Sequence, residues 1–128
     1  MLTVNPYLIH QLMAPLTGLA DDDEAVVFYD YVNPSNEEHY RAIISELIVK
    51  YFSNLSDAKK ERTKFALKYY LSKKDSDFDS AFDACLPPFE PPDNTRNFYV
   101  WIWEEIYGNE YFEITDMDKY KVVPNMYE

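Results

Sequence analysis

Glycine is nearly missing from this 128-residue chain, with only Gly18 and Gly108 present. Tight two-residue hairpins draw on glycine at positive φ, so a fold of many short hairpins is excluded and helices are expected. One cysteine, Cys85, permits no internal disulfide, which favours a reducing compartment. No apolar run approaches the roughly 20 residues of a membrane span. The opening MLTVNPYLIHQLM lacks the basic start and long apolar core of a secretion signal. A cytoplasmic protein is therefore expected. Basic residues are also short, 12 Lys and Arg against 23 Asp and Glu, for a net charge of −11. Nucleic-acid affinity comes mostly from Lys and Arg on phosphates, so direct nucleic-acid binding is disfavoured. A basic partner, by contrast, would be drawn in by long-range attraction.

The charge is unevenly placed. Residues 21–35 hold five acids and no base, and residues 75–93 hold six acids and no base. Residues 36–74 reverse the sign, with nine bases against five acids. Most of those bases (Lys59, Lys60, Arg62, Lys64 and Lys68) fall on one predicted helix, where a solvated outer face is the ordinary explanation.

What the chain has in abundance is aromatic residues, at 17%. They peak in Asn94 to Gly108, NTRNFYVWIWEEIYG, which contains both tryptophans. Asn94 or Thr95 as N-cap, Glu104 and Glu105 as helix formers, and Gly108 at the C′ position predict a helix here. Phe98, Trp101, Ile102 and Ile106 would form one face, with Tyr99, Trp103 and Tyr107 on the flanks. A helix apolar over most of its circumference belongs at the centre of a bundle.

The remaining elements follow from local signals. Asn5-Pro6 opens a short helix to about Met13, and Gly18 marks a turn. Asp21–Glu24 suit the acidic first turn of a second helix, although β-branched and aromatic residues at 25–32 leave a strand open as the alternative. Ser35 to Glu38 reads as a capping box. It is followed by an apolar stripe of Tyr40, Ile43, Ile44, Leu47, Ile48, Tyr51 and Phe52 at helical spacing. Ser56 opens the next helix, with Ala58, Phe65, Ala66, Tyr69 and Tyr70 on its inner side, antiparallel to its predecessor. Asp75 or Ser76 caps a short helix that turns Phe78, Phe82 and Cys85 inward. PPFEPPD at residues 87–93 favours a stiff, extended connection. The tail after Gly108 has two short alternating pieces, readable as a small hairpin or as irregular cover. The expected fold is all-α, a single-domain bundle of five to six helices spanning residues 1–128.

Catalytic and metal motifs do not complete themselves. Asp75, Asp77 and Asp79 give D-x-D-x-D, but the calcium loop needs glycine and glutamate where Ser80 and Leu86 stand. His10 and His39 have no ligand at metal spacing. Cys85 has no histidine near it in sequence and reads as a small buried hydrophobe. Glu37-Glu38 is explained by capping, whereas Glu104-Glu105 sits in the half of a helix that disfavours acid. There is no phosphate-binding glycine loop and no nucleophile elbow. Pro88 to Pro91 matches the loose P-x-x-P pattern, for which a rigid loop is the ordinary explanation. No enzyme, cofactor or metal is expected.

What remains is acid interleaved with aromatic residues: Asp77, Asp79 and Asp83; Trp103, Glu104, Glu105 and Tyr107; and Glu110, Tyr111 and Glu113. Aromatic anchors surrounded by charge are a common way to build tight interfaces. In size, acidity, aromatic content, helical layout and the segments FYVWIWEEIYG and NEYFE, the chain resembles the immunity proteins of contact-dependent growth inhibition systems. That resemblance implies a cytoplasmic protein that binds one cognate toxin domain, often an RNase or tRNase, and blocks its active site. It carries over no catalytic residues. The basic segment at 36–74 departs from a uniformly acidic face, so only one side would meet the toxin. The competing expectation is a helical adaptor or regulatory subunit whose acidity serves solubility alone.

Overall fold

The computed structural model describes residues 2–124; the end of the predicted tail, residues 125–128, lies outside them. The fold is all-α with one small sheet. In chain order it runs β1 (Leu2–Val4), α1 (Tyr7–Leu12), α2 (Asp23–Phe28), α3 (Glu37–Ile43), α4 (Val49–Ser53), α5 (Asp57–Ser72), α6 (Phe78–Ala84), α7 (Thr95–Tyr107) and β2 (Tyr120–Val122). A π-helical segment, Ile44–Ile48, joins α3 to α4 without leaving the helical region, so these form one rod.

Each helix start has a local cause. Asn5 Oδ1 accepts from the Tyr7 amide at 3.1 Å, just ahead of α1. Asp22 caps α2, accepting from the Glu24 and Ala25 amides. Residues 25–28 are thus helical, and the strand alternative falls. Ser56 caps α5 through the Lys59 amide, and Asn94 caps α7 through the Arg96 amide. Gly108 ends α7 at φ 64° and ψ −125°, a backbone region that an L side chain enters only under strain.

Two predicted caps shift. Asn36, not Ser35, caps α3, with its Oδ1 accepting from Glu38 N at 3.1 Å. Ser35 instead donates its hydroxyl to Asp93 at 3.1 Å, fastening the helix start to the proline loop. Asp77, not Asp75 or Ser76, caps α6.

The core surrounds α7, which buries Phe98, Tyr99, Trp101, Ile102 and Trp103. The predicted flanking residues Tyr99 and Trp103 are therefore core residues, and Ile106 and Tyr107 are only half-buried. Against α7 lie Tyr40, Ile43, Ile44, Ile48 and Phe52 from the α3–α4 rod, and Ala66, Leu67 and Leu71 from α5. Leu47 and Tyr51 lie at the margin, because the wider π turn rotates them off the buried face. On α5 the predicted inner face is turned: Ala58 is exposed and Thr63 is buried.

The proline loop is part of this core. Phe89 packs in T-shaped contacts with the Tyr29 and Tyr40 rings, and its centroid lies 6.1 Å from that of Phe82. The Tyr40 hydroxyl donates to Glu90 O at 2.8 Å. With Pro88 and Pro92 also buried, the P-x-x-P segment is spent on the fold and is not free to enter an aromatic groove.

Of the two readings of the C-terminal tail, the hairpin does not form among the described residues. β2 pairs instead with β1 in parallel, Leu2 opposite Tyr120 and Val4 opposite Val122. Parallel strands need a long crossover, and here nearly the whole helical chain provides it.

Candidate functional site

The ten residues singled out from sequence fall into two regions that the fold does not merge. Asp79 accepts a hydrogen bond from Thr95 at the start of α7, whereas Glu104 to Tyr107 occupy its end. At about 1.5 Å per residue, roughly 14 Å of helix separates Thr95 from Glu104.

In the first region, two of three acids serve the fold. Asp77 accepts from Ser80 N at 3.0 Å and from Ser80 Oγ at 2.8 Å. The backbone bond, then the hydroxyl, hold its carboxyl below the usual carboxylate range. Asp79 ties α6 to α7. Only Asp83 is exposed with neither a side-chain hydrogen bond nor an ion pair among the described residues.

In the second region the same division recurs. Trp103 is 1% exposed, so it is not a surface anchor. Its indole N–H donates to Glu110 O at 2.7 Å, which holds the loop after α7 against the helix. The Glu104-Glu105 pair has a structural partner after all. Arg41 reaches Glu104 at 2.5 Å and Glu105 at 3.8 Å, while bonding Glu37 at 2.6 Å. Its guanidinium also lies over the Trp101 ring, 5.9 Å from the centroid. Burial lowers the Arg41 pKa, and the Glu37 and Glu104 contacts overcome that and raise it. Glu110 pairs with Lys64. Among the described residues, Tyr111, 77% exposed, and Glu113 are left without such partners.

Gly108 turns the chain so that residues 108–113 fold back beside α7. The result is an open groove of about 290 Å³ in which Glu104, Glu110, Tyr111 and Glu113 meet the edge of Trp103. Acid and aromatic side chains are thus assembled here as a surface, with Tyr111 and Glu113 its freest members.

Tyr107 lies under this groove rather than in it. Its ring sits 4.1 Å from that of Trp103, and Lys64 Nζ lies 5.1 Å from its centroid. The buried hydroxyl has no hydrogen-bond partner among the described residues, and burial pushes its pKa up. An unsatisfied buried hydroxyl costs about 1–3 kcal/mol. Tyr107→Phe should therefore raise stability, by about 1 kcal/mol, in denaturant unfolding. A loss of stability would show that the hydroxyl has a partner.

Cys85 does meet a histidine, from the far end of the chain: Sγ lies 3.3 Å from His10 Nδ1. The thiol is buried, and desolvation pushes its pKa up to about 11, against a smaller lowering by Thr17. This arrangement favours the neutral thiol, the opposite of an activated nucleophile. Burial likewise pushes Tyr40 up to about 12, helped by the charges of Asp93 and Glu90. Groups with raised folded pKa values contribute stability that is full below their unfolded values and is lost as pH rises through the folded ones. For Cys85 that window opens at about 9 and runs through about 11, so the melting temperature should fall steadily across it. A flat profile over that range would contradict the burial of these groups.

Among the described residues no group of three or more His, Cys, Asp or Glu is placed to hold a metal ion, and no helix is long and apolar enough to cross a membrane.

Sequence reasoning missed one surface. α2 buries none of its residues: Val27 is 75% exposed and Phe28 is 69% exposed. The available signal was the base-free charge of residues 21–35; the composition of AVVFYDYV does not by itself say whether its apolar side chains face the core or solvent.

No protein-family model, curated protein or solved structure matches this chain.

Proposed function

We propose that this protein neutralises a basic protein partner, in the manner of an immunity protein that occludes a nuclease toxin domain. The observation that carries the reading is the groove after α7, where unpaired Glu113 and exposed Tyr111 stand beside Glu104 and Glu110. The excess of acid over base supports it, since the carboxylates left over from internal pairing are available to Lys and Arg of a partner. On this reading the acids occupy the cations that otherwise hold substrate phosphates, and exposed Tyr111, rather than buried Trp103, is the aromatic anchor. Charge sets the speed of encounter, and aromatic burial sets the lifetime of the complex.

The test is capture of the tagged protein from its native cells, with the eluate assayed for cleavage of RNA and DNA after the complex is split by salt. Recovery of a basic domain with nuclease activity supports the proposal. A stoichiometric partner that is neutral and elutes only in denaturant favours the adaptor instead.

A further inference from the structure

The outer face of α2 has no explanation in the fold. Valine and phenylalanine are mediocre helix formers, and α2 is too short for propensity to hold it. Burial does not account for them either, because Val26, Val27, Phe28 and Tyr31 are 40%, 75%, 69% and 51% exposed. The segment is nevertheless firmly held from both sides. Ala20 N donates to Leu86 O at 2.9 Å and Gly18 N to Cys85 O at 2.8 Å. Tyr29 packs on Phe89, Tyr31 packs on His39, and Asn33 N donates to His39 Nδ1. Large apolar side chains are thus presented to solvent on a fixed platform.

Leu86 adds an independent observation. It follows α6 at φ 50°, the left-handed position where glycine ordinarily ends a helix and where a branched side chain is strained. Its side chain gains little burial in exchange, being 50% exposed. Next to it a groove of about 410 Å³ runs between α2 and the proline loop, walled by Val26, Tyr29, Val32 and Phe89 with Asp30 and Glu90 at its rim.

We infer that α2, Leu86 and this groove form a second docking surface whose occupant is a basic amphipathic helix of a protein partner. The aliphatic face of such a helix matches Val27, Phe28 and Leu86. Its Lys and Arg match the five acids of residues 21–35, which contain no base. A second copy of this chain docked face to face would set those five acids against themselves, and an anionic membrane would be repelled. The inference rests on the proposed function only in taking a basic protein as partner. It depends neither on the groove at Glu113 nor on nuclease activity.

The full chain is titrated calorimetrically with a synthetic helical peptide of alternating Lys and Leu patches, and with a Lys and Ser peptide of equal charge. The Lys/Leu peptide should bind at least tenfold more tightly than the Lys/Ser peptide. The double variant Val27→Ser, Phe28→Ser should weaken it at least tenfold with an unchanged melting temperature, while Tyr111→Ser leaves it unaltered. Leu86→Gly should weaken binding severalfold while raising the melting temperature, a combination that misfolding cannot produce. Equal affinity of the two peptides, or undiminished binding by the double variant, would overturn the inference. So would self-association in sedimentation that the double variant abolishes, which would assign the face to a second copy. Failure here leaves the proposed groove standing, because that groove is read through Tyr111 and Glu113.

Discussion

Replacing Trp103 with alanine should cost about 3–5 kcal/mol, the range for deleting a large buried aromatic side chain. For a domain of this size that corresponds to a drop in melting temperature of roughly 10–20 °C. Three losses combine. The ring is 1% exposed, so its removal leaves a cavity against Tyr107 and Phe112, its ring neighbours. The hydrogen bond to Glu110 O disappears, and with it the tether that fixes residues 108–113. Trp103→Phe separates the contributions: it keeps most of the apolar area and loses the N–H, and should cost about 1 kcal/mol. Hydrogen exchange in the loop should rise more than this small cost suggests, because the tether acts locally. Thermal unfolding of both variants checks the prediction. A Trp103→Ala variant within 1 kcal/mol of the parent would place the indole outside the core.

Reversing charge where it is not used by the fold should slow partner capture without loosening the protein. Glu113→Lys with Tyr111→Ser is the informative pair, since neither side chain has an ion pair or side-chain hydrogen bond among the described residues. The association rate with the basic partner should drop by about tenfold or more at low salt, and the two proteins should converge as salt screens the field. Asp83→Lys, in α6 and outside the groove, should change it far less. Reversals at Asp77, Asp79 or Glu104 answer a different question. They remove the cap of α6, the α6–α7 hydrogen bond or the Arg41 cluster, and report on folding. Stopped-flow mixing over a salt series gives the comparison. Equal rates for the parent and the double variant at low salt would exclude the groove.

The sequence made α7 legible because all its signals are local: an asparagine cap, a dense aromatic run and a terminal glycine lie within Asn94 to Gly108. The helix before α5 was likewise readable from its apolar spacing, apart from a cap displaced by one residue. Asn36 wins there because Ser35 is drawn to Asp93, a partner 58 residues away. The sheet was not legible for the same reason: β1 and β2 come from opposite ends of the chain. Distance also explains the misread site residues. Glu104 and Glu105 are unexplained in their own helix, and their partner Arg41 lies on another. Trp103 was placed at the surface because helical spacing alone does not reveal that residues 108–113 fold back over it.

For α2 the helix was legible from its acidic first turn, but the exposure of Val27 and Phe28 was not, because no feature within the segment distinguishes an apolar run for the core from one for a partner. The one compositional cue is the absence of bases between Asp21 and Ser35.

On the proposed function, binding silences the partner, which a stoichiometric titration of cleavage tests. The captured basic domain, freed of this protein, is given labelled RNA and DNA while purified protein is added back. Cleavage should fall linearly to zero at one equivalent, with the end point shifted to higher concentration for Glu113→Lys with Tyr111→Ser. Full cleavage in the presence of a formed complex would contradict it and make this protein an adaptor.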